Sequence, residues 1–267
     1  MRRDQLLWGI VLLAFGLVLL LRQLGVLPVG FSWAVMGPVL LIGLGFWVLW
    51  SSTTRSEPQA DRVTIPLEGI ERARIRLKHG AGRLHIGASA GPGELLSGTF
   101  MGGVRHEITR QGDTAELQLS LAPGTPPWTG WPLWGRPGGL AWDVNLSPEV
   151  AIDLHVETGA SEATLRLADL NVTSFHLKTG ISAARITLPA HAGRVQARID
   201  SGVAETTIRV PDGLAARIRV ENGLGDARVD EQRFPRSDGG YASPDYAEAA
   251  DAVDLDVRNG IGAVRIE

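Results

Sequence analysis

Residues 87–91 (GASAG) match the G-x-S-x-G pattern, in which a serine nucleophile stands on a sharp turn between a strand and a helix. The helix matters because it aims the serine hydroxyl and supplies a backbone donor to the reacting oxyanion. Here Gly91-Pro92-Gly93 follows the serine, and this composition opposes a helix. We therefore interpret the match as chance.

Two groups of side chains have types that bind metals. His155 and His176 each lie four residues before a recurring glycine, so we expect them to be neighbours on adjacent strands. They lack an evident third ligand, because Arg198 occupies the next equivalent position. The acidic residues of segment 251–256 lack the glycine-containing loop of a calcium site. The sequence predicts no catalytic residue, no metal and no cofactor, and the protein is not expected to be an enzyme.

A repeat organises most of the chain. Six glycines each separate two predicted strands, with an aliphatic residue three positions before and another six positions after the glycine. They are Gly80, Gly159, Gly180, Gly202, Gly223 and Gly260. The central copies are about 21 residues apart, a period typical of a solenoid in which each repeat covers the apolar face of its neighbour. This predicts an all-β solenoid.

Alternation of period two sets the inward face of each repeat, for example Phe175, Leu177, Ile186 and Leu188 around Gly180. We expect the glycines to turn the chain sharply, often with a positive φ. The residue that follows each glycine is apolar and is predicted to fill the corner of the coil. These residues are Ala81, Ala160, Ile181, Val203, Leu224 and Ile261.

A second column of residues lies two positions before each glycine and is charged in every copy. It reads Lys78, Glu157, Lys178, Asp200, Glu221 and Arg258. Opposite charges on neighbouring strands stabilise a sheet by about 0.2–1 kcal/mol per pair. We interpret the column as a solvated, ion-paired face, with a ligand-binding ladder as the less favoured alternative.

Residues 1–50 are predicted to form a transmembrane hairpin of two helices. Residues 6–21 contain no polar side chain and residues 33–50 contain no charge, so each stretch nearly matches the hydrocarbon core of a bilayer. A cleaved signal peptide is the alternative for the first stretch, but no small-residue cleavage site follows it. Arg2, Arg3, Arg55 and Arg62 flank the hairpin on one side and only Arg22 lies in its turn. The positive-inside rule then places both termini and the soluble domain in the cytoplasm.

Residues 51–61 are predicted to be a polar linker, and residues 62–267 the β-solenoid domain. Strands are predicted at 94–101, 104–110 and 115–121, with a hairpin turn at 111–113. Two inserts interrupt the repeats, at 122–141 and 230–250. The first contains Trp128, Trp131 and Trp134, which either cap one end of the solenoid core or dock a partner, a lipid surface or a sugar chain.

The order of these parts resembles a known combination. Residues 1–50 resemble the LiaI/LiaF-type transmembrane hairpin, and the remainder resembles the toastrack domain of LiaF-like cell-envelope stress proteins. The toastrack resemblance rests on residues 142–146 (WDVNL), on repeats such as 156–160 (VETGA) and on a closing 259–262 (NGIG). It implies a bacterial inner-membrane accessory or regulatory protein without catalytic residues, in some relatives acting on a sensor histidine kinase. The two predicted helices differ from the four-helix arrangement of LiaF.

Two functions of different classes follow. The favoured one is a non-enzymatic membrane protein of the envelope stress response that acts through protein–protein contacts. Its partners would be the lipid bilayer and a membrane protein, or a second copy paired through the solenoid end at Glu267, where no further strand covers the last repeat. Nucleic acid is not expected, because the arginines interleave with acids. The alternative is an extracytoplasmic carbohydrate-binding or polysaccharide-processing solenoid that uses Trp128, Trp131 and Trp134.

Overall fold

Long strands in one sheet dominate the fold. The computed structural model describes residues 60–122 and 140–267, where the chain forms strands and turns. The strands are β1 (Ala60–Pro66), β2 (Arg72–Gly87), β3 (Glu94–Met101), β4 (Val104–Gln111), β5 (Thr114–Leu121), β6 (Ala141–Leu146), β7 (Ala151–Arg166), β8 (Val172–Thr187), β9 (Arg194–Arg209), β10 (Ala215–Leu224), β11 (Ala227–Val229), β12 (Arg236–Ser237), β13 (Gly240–Ala242), β14 (Ala252–Ile261) and β15 (Val264–Ile266). Within the same two ranges no helix is long and apolar enough to cross a membrane. The predicted transmembrane hairpin and most of the predicted linker lie outside the described residues.

The strands join in a single sheet of order β1-β3-β6-β2-β7-β8-β9-β14-β10-β13-β12. The central strands, from β2 to β10 in this order, run parallel to one another. At one end the sheet divides, because β5 pairs with the first half of β2 and β6 pairs with its second half. The fold is therefore all-β, as the repeat predicts.

Each long strand presents a different set of positions to the core before and after its glycine. In β8, Phe175, Leu177 and Thr179 are buried before Gly180, and Ala184 and Ile186 are buried after it. Both halves contribute to the same apolar core. The strand must therefore bend at the glycine, so that its two halves form two walls around one core. Because the second half turns back, residues 167–171 suffice to connect β7 to β8 without the long crossover that parallel strands usually need.

The repeats do not stack in chain order. The predicted last repeat (β14 and β15) lies inside the sheet, with β14 between β9 and β10. The expectation that its strand is an uncovered solenoid end is therefore wrong. The insert at 230–250 explains the difference, because it is long enough for the chain to pass from the outer edge of β10 to its inner edge, next to β9, before β14 begins. Part of that insert, β13, covers the outer edge of β10.

The region between the first two repeats follows its prediction closely. Strands β3, β4 and β5 occupy the predicted segments, and Gly112 turns the β4–β5 hairpin with a φ of 63°. The predicted inward residues around Gly180 are buried, and so are those that the same alternation predicts around Gly202, namely Ala197, Ile199, Ile208 and Val210. Among the described residues the largest buried side chains are Trp142, Phe100, Phe175 and Phe234, and Trp142 and Phe100 meet edge to face at 5.2 Å.

Candidate functional site

The six predicted glycines form a ladder along the bend of the sheet. In spatial order the glycine ladder is Gly80, Gly159, Gly180, Gly202, Gly260 and Gly223. A Cβ atom on Gly159 would lie 2.4 Å from the carbonyl oxygen of Gly80, and a Cβ atom on Gly180 would lie 2.9 Å from that of Gly159. The ladder thus exists because neighbouring backbones approach too closely for a side chain.

The predicted reason for these glycines, a positive φ, is wrong. None of the six has a φ in the left-handed region. That conformation occurs two residues later in three copies, at Gly82, Gly225 and Gly262, with φ between 119° and 126°. A Cβ atom on Gly262 would also lie only 2.1 Å from the carbonyl oxygen of Ala204. In these three copies the bend therefore involves two glycine positions, the first required by space and the second by backbone conformation, whereas Ser161, Ser182 and Ala204 occupy the second position in the other copies.

The apolar residues that follow the glycines lie on the outside of the bend. Ile181 is 64% exposed, Val203 46%, Ile261 49% and Leu224 67%. The prediction that these residues fill the corner of the coil is wrong. At the bend, the alternation of core-facing and solvent-facing positions shifts by one residue, so these side chains face solvent. Strand pairing places Ile181 beside Val203, Val203 beside Ile261, and Ile261 beside Leu224. We call these four residues the corner ladder; at about 4.8 Å between strands they form a row about 14 Å long.

The charged column runs beside this row, on the other side of the glycines. In spatial order the charged ladder is Lys78, Glu157, Lys178, Asp200, Arg258 and Glu221. Because β14 lies between β9 and β10, the signs alternate at every step, which they do not do in chain order. Lys78 lies 3.6 Å from Glu157, and Arg258 lies 3.4 Å from Glu221. A shallow groove lies between the charged ladder and the glycine ladder, and Lys178, Asp200, Arg258 and Glu221 line it together with Gly202, Gly260 and Gly223.

Two histidines lie within hydrogen-bond distance of carboxylates of the charged ladder. Their rings meet edge to face, with centroids 4.6 Å apart, so the prediction that His155 and His176 are neighbours is confirmed. His155 Nε2 lies 3.2 Å from Glu157, and His176 Nε2 lies 2.9 Å from Asp200. Burial raises the pKa of Asp200, but the hydrogen bond from His176 and the nearby Arg198 outweigh it and lower the pKa below its usual value. Asp200 therefore keeps its charge.

Behind the glycine ladder, a column of polar side chains points inward from the positions just before the glycines. This polar column is His79, Thr158, Thr179, Ser201, Asn259 and Asn222 in spatial order. Thr158 donates to Thr179 at 2.9 Å. Ser201 donates to Asn259 at 2.8 Å, and Asn259 donates to Asn222 at 3.0 Å. The sequence patterns above did not predict this column, although a polar residue precedes each of the six glycines in the sequence.

The polar column begins at a buried histidine. His79 is 2% exposed and packs against Trp142 with ring centroids 5.1 Å apart. Neither ring nitrogen has a hydrogen bond of normal geometry with another described residue. Burial lowers the pKa of His79 to about 4, and the backbone of Leu140 offsets only part of this effect. The ring is therefore neutral at physiological pH.

The other side chains considered for chemistry are engaged elsewhere. Ser89 is exposed in the loop after β2, and the next element is β3 and not a helix, so the nucleophile turn does not form. Asp251 accepts a hydrogen bond from the Gly193 backbone, and Asp254 pairs with Arg217. Across residues 60–122 and 140–267, no three His, Asp or Glu side chains are grouped as a metal site requires. Trp128, Trp131 and Trp134 lie outside the described residues.

Two family models match the chain in the order that the resemblance implies. The LiaF transmembrane domain matches residues 7–60. The N-terminal domain of toast_rack, DUF2154, matches residues 54–209, more than half of the chain. The chain belongs to the toast_rack family. This toast_rack protein is also membrane-anchored, because its N-terminal segment is of the LiaF type.

Two solved structures resemble the chain to different degrees. A candidate cell adhesion protein from Clostridium sporogenes ATCC 15579 is 19% identical, with a TM-score of 0.66, over 79% of this chain and 99% of that chain. A candidate adhesin from Bacteroides fragilis NCTC 9343 is 7% identical, with a TM-score of 0.31, over 80% of this chain and 100% of that chain. No curated protein matches the toast_rack protein. The first likeness supports the fold alone, and the second is too weak to support an argument.

Proposed function

We propose that this toast_rack protein is a non-enzymatic accessory or regulatory component of the bacterial cell-envelope stress response. Its two N-terminal helices hold it in the inner membrane, and its bent sheet lies in the cytoplasm. There it acts through protein–protein contacts, with a sensor histidine kinase as the membrane partner that the family resemblance implies. The corner ladder is the single observation on which this proposal depends.

Exposed apolar side chains are common when they occur singly, but an ordered row is not. The corner ladder places four large aliphatic side chains on adjacent strands, where the glycine ladder fixes their spacing. Covering one such side chain contributes about 1–2 kcal/mol, given its present exposure. Four together are enough to form the apolar centre of a small interface, and the alternating charges beside them would form its polar rim.

Complementation of a deletion strain tests the proposal. In the native bacterium, a reporter of the envelope stress response should change its output when the gene is deleted and the cells meet a cell-wall antibiotic. The wild-type gene should restore the response, whereas the double variant Ile181→Ser/Leu224→Ser should not. Arg185→Ser is the matched control, because its side chain is 66% exposed on the same strand as Ile181 but beyond the bend.

Membrane levels and melting temperatures of all variants should be equal, because the two ladder positions are largely solvent-exposed. Full restoration by the double variant would contradict a role for the corner ladder. An unchanged reporter in the deletion strain itself would contradict a role in envelope stress.

A further inference from the structure

We propose that the corner ladder binds the corner ladder of a second copy of this chain, in a two-fold dimer. This rests on the proposed function, in which the corner ladder is an interaction surface, and it assigns that surface to contact between two copies of the chain. The observation behind it is the alternation of the charged ladder, which becomes complete only in the spatial order of the strands.

An alternating row of charges is complementary to its own reverse. The strands β8, β9, β14 and β10 present Lys178, Asp200, Arg258 and Glu221, in the order plus, minus, plus, minus. When this row faces a reversed copy of itself, every charge faces its opposite. A two-fold axis parallel to the strands at the bend produces this arrangement, because it reverses strand order while keeping strand direction.

The same axis pairs the apolar residues. If it passes between β9 and β14, Val203 faces Ile261 of the second copy and Ile181 faces Leu224 of the second copy. The axis also sets Asp200 opposite Arg258 and Lys178 opposite Glu221. All four members of the corner ladder and four of the charged ladder are then covered by one symmetric contact. The bend is convex on this side, so residues farther along each strand diverge from the axis.

This contact is smaller than the 20–30 residues per side of a standard interface. A membrane anchor compensates, because two copies held in one bilayer meet at a high effective concentration. A lipid surface is a poorer occupant, because the charged ladder has equal numbers of both signs and gives no excess of positive charge toward anionic lipids. A second copy covers the corner ladder and pairs each charge of the facing charged ladder with an opposite charge.

Cysteine cross-linking tests the pairing, since the chain contains no native cysteine. In membranes holding the full-length protein, Val203→Cys should give a covalent dimer with a short bis-maleimide, and Arg185→Cys should not. Adding Ile181→Asp to Val203→Cys should reduce the dimer by about tenfold, as expected when the apolar centre is lost. A product of a different mass would show a different protein on the ladder and would overturn the proposal, as would equal dimer yields at Val203→Cys and Arg185→Cys.

A charge-swap experiment separates self-association from any structural effect of the mutations. Lys178→Glu alone sets glutamate opposite Glu221 twice in a homodimer, and Glu221→Lys alone sets lysine opposite Lys178 twice. Each variant on a Val203→Cys background should therefore lose the cross-linked dimer. Co-expressed with different tags, the two variants should form a cross-linked heterodimer, because both facing pairs become opposite in sign.

Absence of that heterodimer would overturn the dimer. The proposed function would remain if the corner-ladder variants still failed to complement the deletion strain. Conversely, a charge-dependent heterodimer together with full complementation by Ile181→Ser/Leu224→Ser would preserve the dimer and refute the proposed function.

Discussion

Replacing Gly159 with alanine is the most direct perturbation of the bend. Gly159 lies between Gly80 and Gly180 in the glycine ladder, with parallel strands hydrogen-bonded on both sides. The new Cβ atom would lie 2.4 Å from the carbonyl oxygen of Gly80. Because the obstacle is backbone and not a flexible side chain, one strand of the sheet has to move.

The cost follows from that contact. Overpacking a close-packed interior costs about 1–3 kcal/mol, and a clash with a hydrogen-bonded backbone belongs at the upper end. For a folded part of this size, about 1 kcal/mol lowers the melting temperature by about 2–4 °C. We therefore expect Gly159→Ala to lower the melting temperature by about 6–12 °C. Gly180→Ala should cost less, because its Cβ atom would lie 2.9 Å from the nearest oxygen.

Gly87 supplies the matched control. It is buried at the end of β2 without a positive φ, and a Cβ atom there would lie 3.6 Å from its nearest neighbour, which is ordinary contact. Gly87→Ala should be neutral or stabilise by about 0.4–1 kcal/mol, because alanine restricts the unfolded chain. Thermal unfolding of the full-length variants, followed by circular dichroism, measures the difference. If Gly159→Ala melts at the same temperature as Gly87→Ala, the close-approach explanation of the ladder is refuted.

Three further predictions concern the polar column and the membrane topology. The neutral His79, with its pKa lowered to about 4 from 6.5 by burial, contributes stability that is complete above pH 6.5 and is lost as the pH falls to about 4. The loss amounts to about 3 kcal/mol, so the free energy of unfolding should fall over that pH window in the wild type and much less in His79→Leu. If the free energies of unfolding of the two proteins depend on pH in the same way, this prediction is refuted. Asn259→Ala leaves the side-chain carbonyl of Asn222 without its hydrogen-bond donor and should destabilise the fold by about 1–3 kcal/mol. A free energy of unfolding equal to that of the wild type in denaturant titrations would show that the polar column does not stabilise the fold. A cytoplasm-specific reporter fused after Glu267 should be active and an export-specific one silent, and the opposite result would place the sheet outside the cytoplasm.

The sequence was most informative about periodic features. Period-two alternation identified the inward residues of β8 and β9, because a strand with one buried face must alternate. The spacing of the glycines identified the bends. The hairpin of β4 and β5 was readable from Gly112, whose positive φ suits a tight turn.

The order of the strands could not be read in the same way. A repeat period predicts which residues pair, but a parallel strand can add to either side of a neighbour when the connection is long enough. The insert at 230–250 provides that length, and β14 consequently pairs with β9 as well as β10. The alternation of the charged ladder was therefore hidden in chain order, where Glu221 follows Asp200.

The exposure of the corner ladder was missed for a related reason. Alternation assigns faces only along a straight strand, and the inward position changes where β8 passes Gly180. Ile181 therefore has an apolar side chain at a position that the bend turns to solvent. An apolar residue directly after a bend is thus ambiguous from sequence, and only the three-dimensional path of the strand decides whether it packs or binds.

Protection of the corner ladder in living cells tests the central claim most directly. In the cysteine-free chain, Ile181→Cys and Arg185→Cys place thiols at two exposed positions of one strand. A membrane-permeant maleimide should label Arg185→Cys quickly and Ile181→Cys slowly in cells, because a partner covers the ladder. After denaturation both should label equally. Equal labelling rates in cells would show that the ladder stays open to solvent and would contradict the account.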